Sequence, residues 1–188
     1  MSAHNIPASG LVTRRLILQA LRTDDAAQLL RYQLENRKHL QPWEPLRNDE
    51  FFTLEAIKRR VEGMVHQMNE GNSLHLLIRS IDSDAMIGEC NFTNIVRGPF
   101  QACHLGFSVA ASAQGQGLMY EALERAIEFV FGTYALHRVM ANYRPENVRS
   151  EQLLKRLGFE IEGKARAYLK ISGSWADHVL TSRINDKV

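Results

Sequence analysis

The segment Gln114-Gly115-Gln116-Gly117, followed by an apolar-periodic stretch from Leu118, is the first place where this sequence points to chemistry. A strand that feeds a glycine-rich turn at a helix start leaves several backbone N–H groups without partners. The helix dipole adds partial positive charge at the same end. Glycines let the main chain approach an anion with no Cβ in the way, so the combination suits a diphosphate. Two familiar phosphate motifs are excluded: the chain has no Gly-x4-Gly-Lys-Ser/Thr loop, and Tyr120 stands where the dinucleotide pattern needs its third glycine. Two glycines alone would serve equally well in an ordinary tight turn. Their context decides.

That context is a second element further along the chain. Arg144-Pro145-Glu146-Asn147-Val148-Arg149-Ser150 leads into Leu153-Leu154-Lys155-Arg156-Leu157-Gly158-Phe159. It reads as a well-capped helix closed by a glycine. Asn147 and Ser150 lie one turn apart at its start and would project into any cleft beside the preceding strand.

The elements that must position these residues follow from periodicity and punctuation. Leu16, Leu18 and Ala20 alternate as a strand, and Thr23-Asp24-Asp25 caps a helix through Ala26, Ala27, Leu29 and Leu30. Pro42 and Pro45 bar regular helix around Trp43. A second helix is expected over 53–70, stopped by Gly71. Strands at 74–78, 86–92 and 103–109 form an antiparallel meander, with turns at 82–84 and 97–99. A long helix starts near Leu118, with Ala122, Leu123, Ala126, Ile127 and Val130 on one face. A strand at 138–143, a helix at 147–158 and a hairpin of 159–169 with 175–182 complete the order βααβββαβαββ. This is a mixed α/β, or α+β, class with helices on both faces of one sheet. We expect a flexible stretch at 1–10 and a single domain over 11–185.

Composition narrows the function classes. The 188 residues suit one hydrophobic core, and 45% apolar with 23% charged residues is globular rather than disordered. The net charge of +2 is spread over short basic runs among acids, unlike a nucleic-acid stripe. No run approaches the length of a membrane span, and no secretory signal opens the chain. Cys90 and Cys103 make no CxxC pair and no zinc spacing with histidines, so no metal is expected. We expect reduced thiols in a cytoplasmic protein.

On these residues the sequence resembles the GNAT acyltransferase superfamily. Gln114 to Met119 matches its Q/R-x-x-G-x-G/A coenzyme-A loop, and Asn147 to Phe159 matches its Asn-x-x-Ser … Leu-Gly-Phe element. Met119 departs from the usual Gly or Ala, as it also does in the branch that acetylates ribosomal proteins. Similarity to the RimJ-type ribosomal-protein alanine N-acetyltransferases is closer. It rests on Pro42-Trp43-Glu44-Pro45, Val96-Arg97-Gly98, Ala102-Cys103, Gly117-Leu118-Met119 with Glu121-Ala122-Leu123, 137–143, and Trp175-Ala176-Asp177-His178-Val179-Leu180.

The resemblance implies the GNAT fold, a mostly antiparallel twisted sheet splayed between its fourth and fifth strands, 103–109 and 138–143. Acetyl-CoA, the cosubstrate, would lie in that opening. Backbone groups of Phe107, Ser108 and Val109 would pair with the pantetheine arm, with the Val109 N–H facing the thioester oxygen. Within the cofactor-binding loop Gln114-Gly115-Gln116-Gly117-Leu118-Met119-Tyr120, the N–H groups of Gly115 to Tyr120 would hold the diphosphate, Asn147 would bond the pantetheine, and Ser150 would protonate or stabilise the departing thiolate. The general base stays open. Many relatives carry Glu just before the Leu-Gly-aromatic of the central strand, where this chain has His104, and a neutral imidazole suits that task near pH 7. Glu44 is the second candidate and Glu89 the third. Trp43, Tyr143, Tyr168 and Trp175 are candidates to line the acceptor site, and Arg144, Arg149 and Lys155 to meet the 3′-phosphate. The acceptor implied is the N-terminal alanine of a small-subunit ribosomal protein, with possible pre-ribosome association and no direct reading of nucleic acid. Another amine acceptor, or a non-catalytic acetyl-CoA-binding module, is the alternative.

Overall fold

A computed structural model describes residues 6–187. Its sheet has eight strands in the order β1 (Leu11–Val12), β2 (Leu16–Ala20), β3 (Leu74–Ser80), β4 (Met86–Val96), β5 (Ala102–Val109), β6 (Arg138–Met140), β8 (Ser174–Ile184) and β7 (Glu160–Ile171). All neighbours are antiparallel except β5 and β6, which run parallel. The helices are α1 (Ala26–Leu40), α2 (Leu54–Asn69), α3 (Leu118–Thr133) and α4 (Val148–Arg156). Thr23–Asp25 is a 3-10 turn ahead of α1, and the two-proline stretch holds another at Gln41–Trp43. Residues 1–5 of the expected flexible stretch lie outside the described residues. Within 6–10, Ile6 packs on the core and Gly10 N–H donates to Pro7 O.

Alternation along the strands assigns the two faces. Gly88, Cys90 and Phe92 share a face with α3: the Met119 methyl lies 3.3 Å from where a Cβ on Gly88 would be. Ala122, Leu123, Ala126, Ile127 and Val130 of α3 are fully buried there. α4 joins α3 on that side, with the Arg156 guanidinium stacked 4.1 Å from the Tyr120 ring centre. Glu89 points the other way, opposite Ser108 on β5, whose hydroxyl lies 2.9 Å from the Tyr32 hydroxyl of α1. α1 and α2 therefore cover the second face.

The splay has a local cause. β5 and β6 pair at Ala102 with Arg138, Cys103 with Val139 and His104 with Met140, and no further. The strand expected to run to Tyr143 is thus shorter, and Tyr143 returns only as an isolated bridge to Val179. Beyond Met140 the chain follows β8 instead: Ala141 N–H donates to Thr181 O, and Asn142 Oδ1 accepts from Thr181 N–H at 3.2 Å. Leu105 to Val109 are left with an open edge. Ala110 N–H donates to Ile87 O at 2.8 Å, and the antiparallel alternation then turns Ser108's backbone groups toward β4 and those of Phe107 and Val109 toward the opening.

Gly88 guards that geometry. A Cβ there would sit 2.5 Å from Ser108 O, a backbone atom that cannot swing aside. We expect Gly88→Ala to displace β5 beside Val109 and lower kcat/KM for acetyl transfer by about tenfold to a hundredfold, the scale of an ångström-sized misplacement. Steady-state rates check this; an unchanged kcat/KM would contradict it.

Candidate active site

Gly115 (φ 72°) and Gly117 (φ 71°) both adopt the left-handed conformation that L side chains resist, and Gly117 caps α3. No atom lies within 4 Å of a would-be Cβ on Gly115, so the turn is open to an approaching group. Among the described residues, the N–H groups from Gly115 to Tyr120 meet no acceptor in the turn, and the ladder resumes with Glu121 N–H on Gly117 O at 3.1 Å.

The loop's side chains are occupied elsewhere. Gln114 Oε1 accepts from the Arg149 guanidinium of α4, and its Nε2 lies 3.0 Å from His39 Nε2 of α1. His39 Nε2 also lies 3.2 Å from Val109 O. Gln116 Nε2 donates to Ser112 O at 2.9 Å, Met119 is buried against Gly88, and Tyr120 OH donates to Glu124 at 2.7 Å. Leu118 is half-buried and packs on the core. The turn's free donors are therefore its main-chain amides. Asn147 caps α4, its Oδ1 accepting Ser150 N–H at 3.1 Å, which leaves its amide nitrogen for a ligand. Ser150 is half-buried in the first turn of α4.

The candidate bases separate in space. His104 sits at the apex of the V, in the last β5–β6 pair. Its Nδ1 is buried without a partner, and burial pushes the imidazole below its ordinary range. Glu89 lies on β4, one strand in from the open edge, opposite Ser108 and next to the Gly88–Val109 pair. Burial drives its carboxyl up; the Asn91 amide and the Ser108 hydroxyl pull it partly back, as does Arg60, while the charge of Glu44 adds to the rise. Burial also raises Glu44, against Arg47 and Arg60. Glu44 is anchored by its carbonyl, which accepts Ser172 N–H at 2.9 Å.

Around the two carboxylates stand residues that the sequence did not single out. Arg60 of α2 lies 3.6 Å from the Phe51 ring centre and donates to Gln33 Oε1 at 2.9 Å, with Nη1 buried and unpartnered. Burial lowers its guanidinium from the usual range. Tyr32 joins through Ser108, and burial raises its phenol. His75 Nδ1 bonds Asn91 Oδ1 at 2.8 Å. A signal for this cluster was present: His75, Glu89 and Asn91 interrupt strand runs that are otherwise largely apolar, and the β3–β4 register sets His75 opposite Asn91.

The proposed acceptor residues divide. Trp43 and Trp175 are exposed (39% and 66%), whereas Tyr143 is buried and belongs to the core. Tyr168 OH accepts from Asn142 Nδ2 at 3.3 Å on the β8 side of the opening. Arg144 is spent on the Trp43 loop: it donates to Pro42 O at 2.9 Å, lies 5.8 Å from the Trp43 ring centre and pairs with Glu146 at 3.3 Å. Of the basic candidates only Arg149 touches the loop; Lys155 is exposed on α4. An open groove of about 530 Å³ runs past Arg144, Glu146, Lys164, Trp175 and Asp177. Among the described residues no three His, Cys, Asp or Glu side chains converge on a metal-binding position, and none of the helices is long and apolar enough to cross a membrane. Both cysteines are free and buried.

Residues 15–160 match the family model described as an acetyltransferase (GNAT) domain. A relative from Escherichia coli, a [ribosomal protein uS5]-alanine N-acetyltransferase, is 44% identical over 179 residues, covering 95% of this chain and 92% of that protein. The crystal structure of a ribosomal-protein-S5-alanine acetyltransferase from Vibrio fischeri superposes with a TM-score of 0.89 at 38% identity, covering 94% and 96% of the two chains. Mycobacterium smegmatis RimJ in complex with CoA-disulfide gives a TM-score of 0.86 at 28% identity, covering 92% and 83%.

Proposed function

This chain belongs to the GNAT acetyltransferase family, and from that premise we propose that it transfers the acetyl group of acetyl-CoA to the N-terminal alanine α-amine of a small-subunit ribosomal protein, by direct attack in a ternary complex. The observation that carries this reading is the pairing of unpartnered amides at the start of α3 with the open edge of β5. The amides of Gly115 to Tyr120 hold the diphosphate, and Phe107 and Val109 extend the sheet to the pantetheine arm as an added strand would. The Val109 N–H steadies the charge that develops on the thioester oxygen, a role typically worth about 3 kcal/mol. Asn147 bonds the arm through its amide, and Ser150 gives a proton to the departing thiolate. Supporting the acceptor is the 44% identity to the uS5-alanine enzyme. A cytoplasmic location, contact with pre-ribosomes and action of 11–185 as one domain belong to the same proposal.

Glu89 takes the general-base role. It stands one residue from Val109 across the β4–β5 ladder, whereas His104 lies at the closed end of the V. An α-amine ionises near ~8 against ~10.4 for lysine, so a carboxylate with a raised pKa is base enough for an N-terminus and poor for a lysine.

Incubation with acetyl-CoA and a peptide copying the alanine-initiated N-terminus of uS5 tests the reading. We expect thiol release together with one acetyl group on the α-amine by mass spectrometry. A peptide with a blocked α-amine and free lysines stays unmodified. Turnover of polyamines in preference to the peptide, or CoA binding without thiol release, would contradict it.

A further inference from the structure

The turn that presents the amides is built from two glycines in left-handed conformation, the residue with most freedom to lose on ordering. Something must hold it. Glu121, in the first turn of α3, accepts from Thr13 Oγ1 at 2.6 Å and from Arg15 N–H at 2.8 Å on one oxygen, and from Arg15 Nε at 2.7 Å on the other. Arg15 Nη2 completes a forked ion pair at 2.7 Å. Arg15 Nη1 then donates to Gln116 O at 3.0 Å, inside the turn itself. Although burial pushes the Glu121 carboxyl up, these donors together hold it below its ordinary range. The loop between β1 and β2 is thereby clamped onto the coenzyme loop from the side away from the opening.

The clamp aims a hydrogen bond. In a trans peptide the C=O and the following N–H point in opposite directions, and the chain has no cis bond among its described residues. Tying Gln116 O to Arg15 therefore turns the Gly117 N–H outward.

We propose that Arg15, Glu121 and Thr13 are positioning residues for the donor substrate, aiming the 116–117 peptide N–H at the acetyl-CoA diphosphate. This rests on the reading that the turn binds acetyl-CoA. It makes a prediction of unusual sign. A bystander carboxylate in the first turn of α3 would repel a diphosphate, and its neutralisation would tighten binding. A carboxylate that holds the clamp does the reverse.

Steady-state kinetics and calorimetry on wild type, Glu121→Gln and Arg15→Lys, with the Ala-initiated peptide as acceptor, decide between these. We expect Glu121→Gln to raise the KM for acetyl-CoA about tenfold, the loss of a charge-assisted hydrogen bond. The loss with acetyl-CoA should exceed at least fivefold the loss with S-acetylpantetheine, which lacks the diphosphate. Arg15→Lys, which keeps the charge but cannot span Glu121 and Gln116 together, should fall between wild type and Glu121→Gln. Equal losses with the two donors would mean a general structural role and overturn the proposal. So would unchanged or tighter acetyl-CoA binding by Glu121→Gln. A wild-type protein that gives no heat with CoA would instead remove the underlying reading of the turn.

Discussion

Glu89→Gln is expected to lower kcat by about a hundredfold, the scale of a lost general base, and to raise the melting temperature at pH 7, both checked by steady-state rates and thermal unfolding. The two outcomes share one cause. Burial on the α1–α2 face lifts the Glu89 carboxyl above its ordinary range. In the unfolded chain the same group ionises near ~4.3. Between that value and the raised one the folded state binds more protons than the unfolded state, so stability falls as pH rises through the window. Above the unfolded value, whichever form the folded chain holds, an acidic group at this position costs the fold stability, and glutamine removes the ionisable group while keeping the shape.

A variant that loses turnover while gaining stability cannot be explained as misfolding. The pH profile separates the candidates further. The wild-type rate climbs with pH through two ionisations, that of Glu89 and that of the amine; in Glu89→Gln only the amine's limb remains. Glu44→Gln removes a charge that raises Glu89, so the acid limb should move to lower pH without disappearing. Loss of turnover confined to His104→Ala, with Glu89→Gln near wild type, would return the role to the imidazole.

The second large effect is expected at the turn. Gly117→Val should raise the KM for acetyl-CoA about tenfold or more, with little loss in the KM for the acceptor peptide. Space is not the obstacle: a Cβ at Gly117 would meet only Arg15 Nη2, at 3.8 Å, an ordinary contact. Conformation is. At φ 71° an L residue costs about 1–2 kcal/mol, and a β-branched one is a poorer occupant still. The turn would relax toward negative φ and swing its N–H groups off the diphosphate. Calorimetric titration with CoA reads the change directly; affinity within a factor of two of wild type would contradict it.

Much of this molecule was legible in its residues, for identifiable reasons. The 3.6-residue spacing from Leu118 to Val130 located α3, and Gly115 and Gly117 located the turn before it. Backbone chemistry at a helix start depends only on local sequence. What crosses between elements was less visible. A two-residue strand such as β1 is too short to show alternation. The end of β6 at Met140 is set by where Asn142 intercepts Thr181, a partner far along the chain. The resemblance placed the opening between 103–109 and 138–143, but only the β4–β5 register turns Ser108's backbone toward β4 and leaves Phe107 and Val109 facing the opening. The ranking of bases turned on the same gap. His104 stood out by replacing a familiar Glu, while Glu89 gains its surroundings from Arg60 on α2, Tyr32 on α1 and Ser108 on β5.

Amide-resolved NMR during titration with CoA, compared with pantetheine, reports on the main-chain cradle itself. The N–H resonances of Gly115 to Tyr120 should move with CoA and stay in place with pantetheine, while those of Phe107 and Val109 respond to both. Saturating CoA that shifts other residues and leaves the 115–120 amides unmoved would contradict the account.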